Sequence, residues 1–254
     1  MEEWKLFCTE IIDKQLRTGK IQLSELHSCS FNSDGLRLNG KPDVSKVQGI
    51  SDGFRTKAKN STVDAIFEQY KVYANSVNKV EDSYFFIAWD KGVKSLIIYN
   101  TSNIHDEFEG RSEVISGIPV KVCDLNIRNA SALRKIFSFT KPSNFSGAKI
   151  TIGLGDRLGL ASPGHIRLIR DLPVFPVLAQ QSVRELNLTG RTYEDVLAAA
   201  SWAVFQEGYK SGFGADGDHL KTPDEVNMAL ECGFTMITLD CSEYIDNKAA
   251  ELHD

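Results

Sequence analysis

Residues 213–221, Phe-Gly-Ala-Asp-Gly-Asp-His-Leu-Lys, and the next four, Thr222-Pro223-Asp224-Glu225, decide how the rest of the chain is read. Four ionisable side chains crowd onto the end of a short strand that opens at Phe213. Asp216 and Asp218 are two apart, so a strand points both to one face. Gly214 and Gly217 leave the backbone open to an ion or a substrate. His219 and Lys221 follow where the strand should end. Thr222 to Glu225 is a capping box with proline at the first helical position, and Gly233 stops the helix at its far end. Carboxylate plus imidazole suits a divalent metal, and a nearby lysine can hold a substrate carboxylate or phosphate. The bland alternative is a polar strand-to-helix loop.

Outward from this stretch, strand and helix alternate strictly. A strand is expected from Ala148 to Leu154, a helix from Pro163 to Arg170, and a strand from Phe175 to Ala179. A long helix from Thr192 to Lys210, the strand at Phe213, the helix at Pro223 and a strand from Phe234 to Leu239 complete the series. Such alternation predicts an α/β fold of parallel βαβ units. Each strand also ends in polar residues: Asp156-Arg157, Gln180-Gln181-Ser182, Asp216 to Lys221, and Asp240. Polar groups at every carboxyl end are the mark of a TIM-type (β/α)8 barrel. Residues 146–254 are therefore expected to be the first half of a (β/α) barrel catalytic domain, truncated because a full barrel takes about 250 residues.

The first 145 residues read as a separate α+β domain. Trp4, Phe7, Cys8, Ile11, Ile12 and Leu16 give helical spacing between Glu3 and Thr18, and Thr62 to Val77 returns to it. The stretch between, from about Ser30 to Asn60, reads as loop or a weak hairpin. Residues 83–89 and 93–99 are β-rich runs joined by Asp90-Lys91-Gly92, the pattern of a hairpin with glycine at the left-handed position. A third strand is expected from Ile118 to Val122, a short helix from Ser131 to Phe137, and a linker at Lys141-Pro142-Ser143-Asn144.

Composition narrows the class. The chain has 254 residues, 42% hydrophobic and 25% charged, the profile of a soluble globular protein. Its net charge is -5, and no basic run interleaves with aromatics, which argues against nucleic acid as a partner. No apolar run approaches the roughly 20 residues that span a membrane. The start, Met1-Glu2-Glu3-Trp4-Lys5, lacks a signal-peptide layout, so a cytoplasmic location is expected. The five cysteines are scattered without a Cys-x-x-Cys pair, which signals neither a disulfide framework nor a zinc knuckle.

Gly153-Leu154-Gly155-Asp156-Arg157-Leu158-Gly159 departs from a dinucleotide fingerprint. Its third glycine comes one residue late, and the next strand ends in Gln180-Gln181 where an acidic ribose ligand is needed. Asp156 stands where a catalytic carboxylate would, with Arg157 able to keep it ionised, or the two form a structural pair. His165 follows Pro163-Gly164 at a helix start, as a capping, core or functional histidine.

Four blocks in order carry a resemblance: 153–167, 179–185, 189–192 and 212–222. Together they resemble the tagaturonate epimerase family, closely over 151–240 and loosely over the first 145 residues. The family's chains are substantially longer. The resemblance implies a metal-dependent enzyme that interconverts tagaturonate and fructuronate. Those sugar acids differ at a carbinol carbon β to the ketone, whose C–H the carbonyl does not acidify, so a retro-aldol and aldol pair fits better than direct proton abstraction. On this reading His219 and Asp218 ligate a divalent metal cation, and Asp156 and His165 are catalytic. Arg157, Gln180, Gln181 and Lys221 contact the sugar-acid substrate. A class II aldolase or another metal-dependent sugar isomerase is the near alternative. A different class is a catalytically silent barrel fragment that binds a sugar acid or a partner subunit. As a half barrel, the chain is expected to be inactive alone, and to be either marginally stable or a homo-oligomer through its open edges.

Overall fold

The computed structural model describes residues 29–32, 35–38, 70–99, 106–115, 117–145, 147 and 150–246. It contains two compact units, 1–64 and 65–254. In the first, β1 (Cys29–Asn32) and β2 (Gly35–Leu38) pair antiparallel, a hairpin at the start of the stretch read as loop or weak hairpin. The helix expected from Glu3 to Thr18 lies outside the described residues.

The second unit opens with β3 (Lys71–Val72), β4 (Asn78–Val80), β5 (Ser83–Asp90), β6 (Val93–Tyr99), β7 (Arg111–Ile115) and β8 (Ile118–Asp124). They form one antiparallel sheet in the order β3-β5-β6-β8-β7, with β4 also on β5. The helix expected from Thr62 to Val77 does not continue into its described part, which is β3 and a 3-10 turn at Ala74–Ser76. Pairing with β5 overrides the local period there. The β5–β6 hairpin turns as expected on Lys91 and Gly92, both with positive φ (49° and 87°), the backbone of a tight two-residue turn. Alternate residues of β5 serve two cores: Phe85 and Ile87 pack on one face, Phe86 and Ala88 on the other.

After α1 (Ile127–Ile136) the chain changes to parallel units. These are β9 (Thr151–Gly153), α2 (Ser162–Ile169), β10 (Phe175–Ser182), α3 (Val183–Thr189), α4 (Tyr193–Glu207), β11 (Gly214–Leu220), α5 (Pro223–Glu231) and β12 (Met236–Leu239). The four strands pair in parallel in chain order, β9-β10-β11-β12. Three helices begin with reciprocal capping boxes: Ser182 with Glu185, Thr192 with Asp195, and Thr222 with Glu225. The helix read as one piece from Thr192 is thus preceded by a separate α3, which Gly190 ends in the left-handed conformation.

Helix α4 joins the two sheets. Twelve of its fifteen residues are buried, so it has no free polar face and reads as a core helix. Tyr193, Val196, Ala200 and Val204 pack in the core of the parallel sheet. Ala198, Trp202 and Phe205 pack with Phe85, Ile87 and Leu133 of the antiparallel part. The change of architecture near residue 145 therefore falls inside the 65–254 unit.

Gly208 caps α4 at φ 59°, and a Cβ there would stand 2.3 Å from the Asn75 carbonyl oxygen. Gly208→Ala should lower unfolding stability by about 2–3 kcal/mol, combining left-handed strain of roughly 1–2 kcal/mol with that collision. Gly190→Ala, at φ 64° with nothing within 4 Å, should show the strain alone. Equal losses for the two variants in urea titrations would rule out the Asn75 contact as the cause.

Candidate functional site

The carboxyl ends of β9, β10 and β11 surround a cavity of about 610 Å3, lined by Asp156, Arg157, Leu160, Gln180, Glu185 and Asp218 among others. Four of the eight residues singled out from the sequence thus meet here. The other four do not line the cavity, and the reasons are local.

The pleat separates the two glutamines. Gln180 lines the cavity, and its Nε2 donates to Asp216 Oδ2 at 3.3 Å. Gln181, one residue on, is fully buried on the other face, donating to Thr189 Oγ1 and accepting from Arg191. It braces α3 and lies away from the cavity lining, where a substrate contact was expected, a placement that the period of two in a strand already contains. His165 sits within α2, away from the cavity wall, with Nδ1 buried and without a hydrogen-bond partner among the described residues. Lys221 turns toward the loop after β12, where its Nζ meets Glu243 Oε1 at 2.7 Å and Asp240 Oδ2 at 3.7 Å.

Asp156 is buried and spends both carboxylate oxygens on the loop that follows it. Oδ1 accepts from the Leu160 amide at 3.0 Å. Oδ2 accepts from the Ala161 amide (2.7 Å), the Ser162 amide (2.8 Å) and Ser162 Oγ (3.0 Å). Burial pushes its carboxyl up, but the hydrogen bonds from Ser162, Leu160 and Ala161 outweigh that and hold it below its ordinary value. Arg157 is not the cause. It pairs instead with Glu185, across the cavity mouth. Arg191 clamps the same loop from below, donating to the carbonyls of Asp156 and Arg157 and to Gln181 Oε1. The sequence reading missed this role, because nothing in the spacing of Thr189-Gly190-Arg191-Thr192 points back to residue 156.

At β11 the strand breaks its own register. Pairing with β12 shifts between Gly217 and Leu220, and His219 lies in that bulge at φ 56°. The other non-glycine residues with positive φ among those described, Glu81 and Lys91, sit between paired strands of the antiparallel sheet. A bulge re-aims a side chain. Here it swings the His219 ring beside its neighbour, with Nδ1 at 2.8 Å from Asp218 Oδ1. That hydrogen bond, with the carboxylate charge, raises the imidazole above its ordinary value. Asp216 is fully buried, accepting from Thr238 Oγ1 at 2.8 Å as well as from Gln180. Burial raises its carboxyl, and the Asp218 charge adds to this against the pull of those donors. The two glycines of the stretch serve packing: a Cβ on Gly214 would press Phe175 and Val177, and one on Gly217 would press Ala229 and Leu220.

The donor chemistry suits a divalent cation. With Nδ1 turned to Asp218, His219 keeps Nε2 outward, the arrangement of a carboxylate-oriented metal histidine. Asp218 Oδ2 has no partner among the described residues. No group of three or more His, Cys, Asp or Glu residues converges among the described residues. No helix among the described residues is long and apolar enough to cross a membrane. Free cysteines include Cys123, whose thiol burial pushes up to about 12, leaving it inert.

Comparison with known proteins finds relatives in one family. A sequence model of the tagaturonate epimerase family (UxaE) matches residues 73–254. The tagaturonate/fructuronate epimerase of Thermotoga maritima is 40% identical over 178 residues, covering 70% of this chain and 37% of its own. The fructuronate-tagaturonate epimerase UxaE of Cohnella laeviribosi has a similar structure. Its native crystal form superposes with a TM-score of 0.69 at 46% identity, covering 76% of this chain and 39% of that one. A form with one glycerol superposes with the same score at 44% identity, covering 82% and 40%. The chain spans about two fifths of the length of these relatives. With the family model matching residues 73–254, this chain belongs to the tagaturonate epimerase family.

Proposed function

We propose that this chain works as a hexuronate epimerase interconverting tagaturonate and fructuronate, its parallel strands being the first units of a (β/α)8 barrel. The observation that carries this reading is the junction of Gln180, Asp218 and the Asp156-ordered loop at one cavity, at the carboxyl ends of parallel strands. That is where barrels of this type keep their chemistry.

His219 and Asp218, with donors from elsewhere, would be the residues to hold a divalent cation, and the chemistry it would supply is polarisation of the substrate ketone. The hydroxyl on the carbon β to that ketone gives its proton to a base, and the bond between the α and β carbons breaks. Its electrons pass to the ketone side as an enolate, leaving an aldehyde. Rotation of the aldehyde before the bond reforms inverts the carbinol carbon, and the base returns the proton. Asp156, with both oxygens engaged by the loop, fits the role of holding the cavity wall. Arg157 at the mouth is the cation nearest the cavity for the substrate carboxylate.

The test is direct: incubate purified chain with tagaturonate and a divalent metal, and follow fructuronate by chromatography. Conversion that stops on chelation and returns with metal is the result this reading requires, against the inactivity expected of a half barrel alone. Conversion unaffected by chelation would remove the metal from the reading, and none under any metal would remove the activity.

One observation favours a second reading, a silent fragment or subunit. The parallel sheet ends in β9 and β12 with apolar residues in the open: Ile150, Ile152 and Leu239 are 55%, 39% and 63% exposed. Bare edges of this kind pair with other chains. Light scattering is expected to show an oligomer. A stable monomer that turns over substrate would exclude this second reading.

A further inference from the structure

Asp216 is fully buried, and the one oxygen it does not use, Oδ1, is sealed from solvent. It therefore does not meet a ligand itself. Its Oδ2 ties three neighbouring strands together, taking Thr238 from β12 and the Gln180 Nε2 from β10. Oδ2 accepts from the NH2 end of the Gln180 amide, which turns the amide carbonyl away from it. That carbonyl lies over β9, 2.6 Å from where a Cβ on Gly153 would stand and 3.9 Å from that of Gly155. Two glycines in alternation thus make the groove that holds it. Oε1 has no partner among the described residues and is not sealed from solvent, while its side chain lines the cavity.

We infer that Asp216 is a positioning residue that fixes the Gln180 amide so that Oε1 accepts a hydrogen bond from a hydroxyl of a polyhydroxy keto acid in the cavity. The inference rests on the sugar-acid reading above and adds a specificity element to it. A ligand that placed a carbonyl or carboxylate oxygen there would face acceptor against acceptor and be rejected.

The experiment measures tagaturonate affinity by calorimetry for wild type, Asp216→Leu, Asp216→Asn, Gln180→Leu and the Asp216→Leu/Gln180→Leu double variant, with thermal melts alongside. Asp216→Leu removes the acceptor and should weaken binding about tenfold, as should Gln180→Leu. The double variant should bind no worse than Gln180→Leu, because Asp216 acts through that side chain. Asp216→Asn keeps an oxygen for Nε2 and should stay within about threefold of wild type, which also covers failure of the leucine variant to fold. In turnover, the leucine variant should raise KM with kcat little changed, a split that a loss of folded protein does not produce. Additive losses in the double variant, or an asparagine variant as weak as the leucine one, would overturn the inference, since Asp216 would then act on its own. Wild type that binds tagaturonate without epimerising it overturns only the epimerase reading. Wild type that does not bind it overturns both.

Discussion

Asp156→Ala is expected to cost about 3–5 kcal/mol of unfolding stability and to erase the cavity wall between β9 and α2. The residue is 8% exposed, and its carboxylate is the acceptor for three successive backbone amides and one hydroxyl. Removing it leaves those donors facing a void. The loss is far above that of an ordinary capping residue, roughly 1 kcal/mol, because the carboxylate is buried and charged. Its pH dependence has a definite sign. The folded-state value lies below the unfolded one, so the contribution is fully present above the ordinary carboxylate range and fades as pH falls through the folded value. The gap in stability between wild type and variant should hold from pH 7 to pH 5 or so and shrink below about pH 4. Asp156→Asn offers the decisive contrast. A variant with native stability that loses only kcat would return Asp156 to the role of proton acceptor, whereas lost stability with weakened binding is the outcome this geometry predicts.

The second large effect concerns His219. His219→Ala should abolish metal-dependent turnover, by about 100-fold or more, and strip bound metal measured by elemental analysis. The fold should survive, because the side chain is 63% exposed and its removal opens no core cavity. Backbone strain complicates that single variant: at φ 56° an alanine meets left-handed strain of roughly 1–2 kcal/mol. His219→Gly separates the two effects, since glycine relieves the strain and lacks the ring as well. Both variants should lose metal and rate alike. If either keeps both, His219 is not a ligand, and the bulge at β11 must be explained by packing alone.

The amino-acid sequence by itself determined the strand and helix alternation of the parallel part and several of the caps and turns that end its elements. Thr222 to Glu225 capped its helix as read, the Lys91-Gly92 turn closed its hairpin, and strand and helix alternated into a parallel sheet in chain order. These features are local: a cap or turn is set by side chains within four residues of the backbone groups they satisfy. The capping box at Ser182 and the glycine at 190 were equally legible and mark α3, which the longer apolar period of α4 obscured. Tertiary structure alone decided which polar strand ends meet. Gln180 and Gln181 differ by one pleat, Lys221 found acids after β12, and Asp156 turned inward to its own loop. Arg191 reached 34 residues back to hold that loop. Apart from the Gln180–Gln181 alternation, which the period of two in a strand contains, none of those choices is encoded by spacing. Each is a competition among long, flexible charged side chains for partners brought near by strands that pair across a crossover, and only the folded chain sets those distances.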